Sequence, residues 1–146
     1  MLSPPRSSLE LLLSFAIRLR ESAGARSQPL DKTSTGDFTG EGIINRNLSI
    51  TVSITAAGNA TETFRNSNTS IIQGNSKFVT DNGDIAPYNF QAIGTYNPDG
   101  TFQSRGAAFF DNHATGELSF RSNSVGIYKD TVDSKGNGTF LMWRWK

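Results

Sequence analysis

A chain of 146 residues is about one domain long and can bury a single sizeable core, and the lack of cysteine excludes disulfides, thiol nucleophiles and thiolate metal sites. The formal charge is +1, with Lys and Arg scattered along the chain, which argues against a dedicated nucleic-acid surface, since that needs concentrated positive charge. Fourteen glycines among many Asn, Ser and Thr residues point to a turn-rich all-β protein.

The first segment reads differently from the rest. Ser7 stands three residues before Glu10, the spacing of a capping box, and Leu9, Leu12, Leu13, Ala16 and Ile17 then fall on one helical face. This pattern predicts an amphipathic helix over residues 8–21, with Leu11, Phe15 and Leu19 widening the apolar face. A docked helix or oligomer contact, a secretory signal and an N-terminal anchor are the competing readings. The apolar run is shorter than the about 20 residues that span a bilayer, so no membrane span is expected. Ala23-Gly24-Ala25 has the small residues of a signal cleavage site, but Glu10 interrupts the apolar region and only Arg6 supplies a positive start. Cytoplasmic residence is therefore favoured over secretion. Residues 22–36 read as a polar linker, which divides the chain into an N-terminal helix and linker, 1–36, and a β domain, 37–146.

From Asp37 onward, turn signals recur at the cadence of a sandwich or barrel. Residues 37–44 form the first predicted strand, with Gly40 and Gly42 at alternate positions where a sheet bends or backbones approach closely. In the second, Leu48, Ile50, Val52 and Ile54 alternate with Ser49, Thr51, Ser53 and Thr55, giving one core face and one wet face. A Gly58-Asn59 turn is expected next, then strands over 60–65 and 70–80. Asp81-Asn82-Gly83-Asp84 leads into 85–96. Asn97-Pro98-Asp99-Gly100 is a strong turn signal, because proline presets the second turn position and glycine suits the last, so 85–96 and 101–111 should form a hairpin. GELSF, SVGIYKDTV and GTFLMWRWK complete the series. The fold class expected is all-β: a single antiparallel up-and-down barrel of about eight strands, closed so that no sheet edge is exposed, with one N-terminal helix.

The last strand has no wet face. Leu141, Trp143 and Trp145 project to one side, and Phe140 and Met142 to the other. The outside of a small barrel is polar unless something covers it, so the N-terminal helix or a second subunit should lie over the C-terminal strands, and a homo-oligomer is expected.

Three stretches, GDFTGEG, IAPYNFQAIGTYNPDGTFQSRGAAFF and TGELSFRSNSVGIYKDTVDSKGNGTFLMWRWK, resemble small, chiefly archaeal, prokaryotic β-barrel proteins of uncharacterised function, which share a GxLxF…WEWK type of ending. The resemblance covers residues 37–146 and departs at Arg144, where that ending places an acidic residue. It implies a barrel similar in architecture to allene oxide cyclases, dirigent proteins and lipocalins. No catalytic motif of those families carries over residue by residue.

His113, the single histidine, sits in an Asp111-Asn112-His113 turn, where a solvated role is simpler than metal ligation. No phosphate loop, nucleophile elbow or Ser-His-Asp constellation is present, and the reading calls for no metal and no cofactor. Polar residues that share strand parity with apolar ones are better candidates, because a ligand-binding barrel places a few polar groups among hydrophobic walls. Glu41 shares a face with Ile43, Glu62 with Phe64, Arg105 with Ala107 and Phe109, and Tyr128 with Val132. Tyr88, Phe90 and Tyr96 line up on another face. The leading expectation is a binding module whose lumen or mouth holds a small apolar or aromatic ligand, contacted by Phe64, Tyr88, Phe90 and Tyr96. A cofactor-free cyclase or isomerase using Glu41 or Glu62 with Tyr128 or Arg105 is the enzymatic alternative, and a packed barrel acting as an assembly protein is the third.

Overall fold

A computed structural model describes residues 11–18, 33–47 and 50–145. Seven consecutive strands run up and down in antiparallel order and curl into an open half-barrel: β2 (Thr33–Asn47), β3 (Ile50–Phe64), β4 (Thr69–Thr80), β5 (Ile85–Tyr96), β6 (Phe102–Phe110), β7 (Ser124–Val132) and β8 (Asn137–Arg144). The strand β1 (Leu11–Arg18) pairs with β2 on one side and β8 on the other, and the sheet closes into a barrel. Among the described residues the one helical segment is a 3₁₀ turn, Gly116–Arg121.

The strands carry the alternation expected of a sheet with one wet face. Along β5, Ala86, Tyr88, Phe90 and Ala92 are buried, while Asn89, Gln91 and Ile93 are exposed. On β3, Val52, Ile54 and Ala56 enter the core and Thr51, Ser53 and Thr55 face water, as their spacing predicts. The hairpin over β5 and β6 also forms as expected. Asn97 N–H donates to Thr101 O at 2.8 Å, Gly100 adopts φ +86°, and the Asp99 carboxylate accepts from the Thr101 backbone N–H at 3.0 Å and hydroxyl at 2.6 Å.

Three local expectations are corrected. Residues 11–18, the middle of the predicted helix over 8–21, are a wall strand, while the remainder of that span lies outside the described residues. A short apolar run is compatible with either helix or strand, and here the unpaired edges of β2 and β8 supply hydrogen-bond partners along its whole length. The expected Gly58-Asn59 turn lies inside β3, which is 15 residues long and unbroken. Gly58 serves a close approach instead of a turn, since a Cβ there would strike the Asn75 carbonyl oxygen and come within 2.6 Å of Ser76 Cβ on β4. GELSF is the 3₁₀ turn instead of a strand. Thr115 is tied to Ile85 by a reciprocal pair of hydrogen bonds at 2.9 and 3.0 Å, and the Asp84 carboxylate accepts the Glu117 N–H at 3.1 Å, which folds the segment across the barrel end.

The outer face of β6–β8 is uncovered by any described element. Trp143 is half-buried, whereas Phe109 is 46% and Trp145 38% exposed. The helix expected to cover them is not available, because its central residues form part of the wall.

The close approach at Gly58 gives a direct test. Gly58→Ala should destabilise the protein by about 1–3 kcal/mol, because the β4 backbone has to move, whereas Asn59→Ala, at an exposed neighbour, should stay within about 0.5 kcal/mol. Urea denaturation midpoints of the two variants check the difference.

Candidate functional site

The two ends of the barrel differ. At one end the 3₁₀ turn acts as a plug: Leu118 and Arg121 are buried, and the Arg121 guanidinium lies 4.4 Å from the Phe110 ring centroid, with Nη2 donating to Met142 Sδ at 3.2 Å. Phe78, Tyr88 and Phe110 pack beneath it, with ring centroids 4.8–5.7 Å apart. This end is filled by side chains.

The other end is polar and aromatic. Neighbouring strands bring Ser70, Gly94, Ser104 and Asp130 into one inward-facing row, by the pairings Ser70↔Gly94, Gly94↔Ser104 and Ser104↔Asp130. Glu62 extends this row onto β3. Its carboxylate, buried at 5% exposure, accepts the Ser70 hydroxyl at 2.7 Å and the Tyr96 hydroxyl at 2.8 and 2.9 Å. On the far side of Gly94, the Ser104 hydroxyl donates to Asp130 Oδ1 at 2.7 Å. The result is a belt of two carboxylates and three hydroxyls along the inner wall.

Three rings lie over the belt. Tyr96 stacks on Phe64 at 5.4 Å and meets Phe102 at 4.7 Å. The Phe102 ring crosses the inner face of Gly94, where a Cβ would come within 2.6 Å of it, so glycine is what allows the aromatic to sit there. Phe102 also lines an open pocket of about 440 Å³ at the rim, with Val132 on the inward parity and Gln103, Thr131 and Thr139 on the outward parity, and no residue of the belt lines it. That volume falls within the range of small-molecule sites. Glu62, Ser70, Ser104, Phe64 and Phe102 are buried at this end, and Tyr96 and Asp130 are partly exposed.

Burial also sets the proton chemistry. The Asp130 carboxyl is pushed up to about 6, against the opposing effect of the Ser104 hydrogen bonds. Burial raises the Tyr88 and Tyr128 hydroxyls well above the ordinary phenol value, so both remain neutral in ordinary buffers.

Of the residues singled out from sequence, Glu62, Phe64 and Tyr96 come together at the open end. Tyr128 points inward between Phe90, at 6.4 Å, and Phe140, at 4.8 Å, and the Asp130 charge contributes to its shifted pKa. Tyr88 and Phe90 belong to the packed core. Glu41 and Arg105 are exposed on the outer face and do not share the lumen with Glu62. His113 is 72% exposed with Nδ1 3.0 Å from Asp111, and among the described residues no cluster of three or more His, Asp or Glu side chains is placed to hold a metal. No described helix is long and apolar enough to cross a membrane.

Sequence reasoning missed Asp130, Ser104 and Arg121. Asp130 carried a usable signal, since it lies between Tyr128 and Val132 on the same strand parity. Arg121 carried none, because its burial follows from the 3₁₀ turn. Compared with known proteins, the chain matches no family model, no curated protein and no solved structure.

The Asp130 environment predicts an unusual pH response. A carboxyl that binds its proton more tightly when folded favours the folded state below the ordinary value of 3.8, and this contribution is lost as pH rises through about 6. Asp99 and Asp111 act in the opposite sense: hydrogen bonds from Thr101 and His113 hold them low, so their contribution is lost as pH falls below 3.8. Between pH 4 and 6.5, wild-type urea midpoints should therefore fall relative to those of Asp130→Asn. Parallel curves for the two proteins would show that Asp130 does not titrate in a buried site.

Proposed function

We propose that this protein is a small-molecule binding module that takes an aromatic or apolar ligand at the open end of its barrel. The observation that carries the reading is the belt of Glu62, Ser70, Ser104 and Asp130 lying beneath the Phe64, Tyr96 and Phe102 rings, beside a rim pocket of about 440 Å³. Apolar walls with a few convergent polar groups orient a ligand while burying most of its surface. A flat ring would slot against Phe102 in the rim pocket, and a hydroxyl or amine on it would meet the polar groups of that pocket, among them Thr101, Thr131 and Asp133.

One observation favours acid–base catalysis as a second reading. With its pKa at about 6, the Asp130 carboxyl exchanges a proton close to neutral pH, which suits a general acid or base in a cofactor-free isomerase or cyclase. In that case Asp130 and Glu62 are the carboxylates within reach of a lumen ligand, and Tyr128 is a neutral neighbour.

The test is fragment binding to the full chain, followed by amide shifts in NMR spectra, using phenol, indole and benzylamine. Shifts should concentrate at Phe102, Val132 and Gly138 and leave Leu118 in the plug unmoved. Thr131→Trp, which places a large ring at an exposed pocket-lining position, should weaken binding by about tenfold or more, equivalent to about 1.4 kcal/mol. Absence of any shift at the open end, together with no ligand retained in native mass spectrometry, would sink the proposal.

A further inference from the structure

The outer face of β6–β8 has a charge and apolar pattern that matches itself when reversed. Along β6, the outward positions are Arg105, Ala107 and Phe109, and Asp111 follows at the strand end. Neighbouring strands widen the apolar centre: Phe109 lies beside Val125, Ala107 beside Ile127, and Ile127 beside Trp143, while the Trp145 N–H donates to Val125 O at 2.8 Å. Phe109 and Trp145 keep 46% and 38% of their surface exposed.

The two ends of this face carry opposite charge. Arg105 and Lys129 are directly opposite each other across β6 and β7, and both are exposed. Like charges so placed repel, and no ion pair to either cation is formed among the described residues. Asp111 lies at the other end, exposed and held ionised by hydrogen bonds from His113. Six residues of strand separate Arg105 from Asp111, or about 20 Å.

We propose that this face binds a second copy of the chain, through a two-fold axis that lies in the interface and crosses β6 at Ala108, midway between Arg105 and Asp111. Such an axis reverses the strand direction, so Asp111 of each copy meets Arg105 and Lys129 of the other, while Phe109, Ile127, Trp143 and Trp145 bury one another. A two-fold contact requires a patch complementary to itself, and this distribution of charge meets that requirement. The pairing would relieve the Arg105–Lys129 repulsion and remove the exposed aromatics from water.

The experiment is sedimentation equilibrium of the full chain at low and high salt. The expected mass is twice the 15.9 kDa of one chain, with dissociation promoted by salt. Phe109→Ser should weaken the dimer by about tenfold or more. Arg105→Glu combined with Lys129→Glu should do the same, and adding Asp111→Lys to that pair should restore association, because the charges are then exchanged. All substituted positions are exposed, and circular dichroism confirms that each variant remains folded. A monomer at every concentration would overturn the proposal, as would a dimer indifferent to Phe109→Ser or a triple variant that fails to re-associate. A chain that stays monomeric but co-sediments with phosphatidylserine vesicles would also overturn it, assigning the face to a lipid surface.

Discussion

Closure of the sheet is the constraint on which the rest of the structure depends. Seven strands from Thr33 to Arg144 leave two rows of unpaired backbone N–H and C=O groups, on β2 and β8, and β1 satisfies both at once. Unpaired edges invite aggregation, and a closed barrel abolishes them. Closure also creates an inside. Because alternate residues on every strand then converge on one axis, side chains far apart in sequence, such as Glu62 and Tyr96, become hydrogen-bonded neighbours.

That inside is graded along its length. At the plugged end, the 3₁₀ turn brings Leu118 and Arg121 down onto Phe110 and Met142, and the buried cation is accommodated by a ring face and a thioether. At the other end, hydroxyls take the place of methyl groups, and each buried carboxylate is held by hydroxyl donors. Burying a charged or polar group without a partner is costly, so these donors are what allow carboxylates inside the wall at all.

The outside is equally uneven. The faces of β2–β4 are wet, with threonine, serine, glutamine and asparagine at alternate positions, whereas β6–β8 present aromatic and aliphatic side chains to solvent. The barrel does not require that apolarity, since its core is complete on the inner face.

Much of the architecture was legible in the residues themselves. The period-two alternation of Val52 and Ile54, the Asn97-Pro98-Asp99-Gly100 turn, and the two-sided apolarity of residues 140–145 each express local chemistry, and so strand identity, the hairpin and the unusual outer face followed directly. Glu62, Phe64 and Tyr96 were identifiable as inward candidates by parity. What the sequence by itself could not decide is anything that depends on a distant partner. Residues 11–18 have a helical pattern when read alone and become a strand because two sheet edges await them. Gly58 looks like a turn residue until the β4 backbone is found pressed against it. Asp130 acquires its raised pKa from burial, and Glu41 and Arg105 lose any claim to the lumen because they face outward. Strand parity states which residues share a side, but only closure of the barrel makes one side the inside.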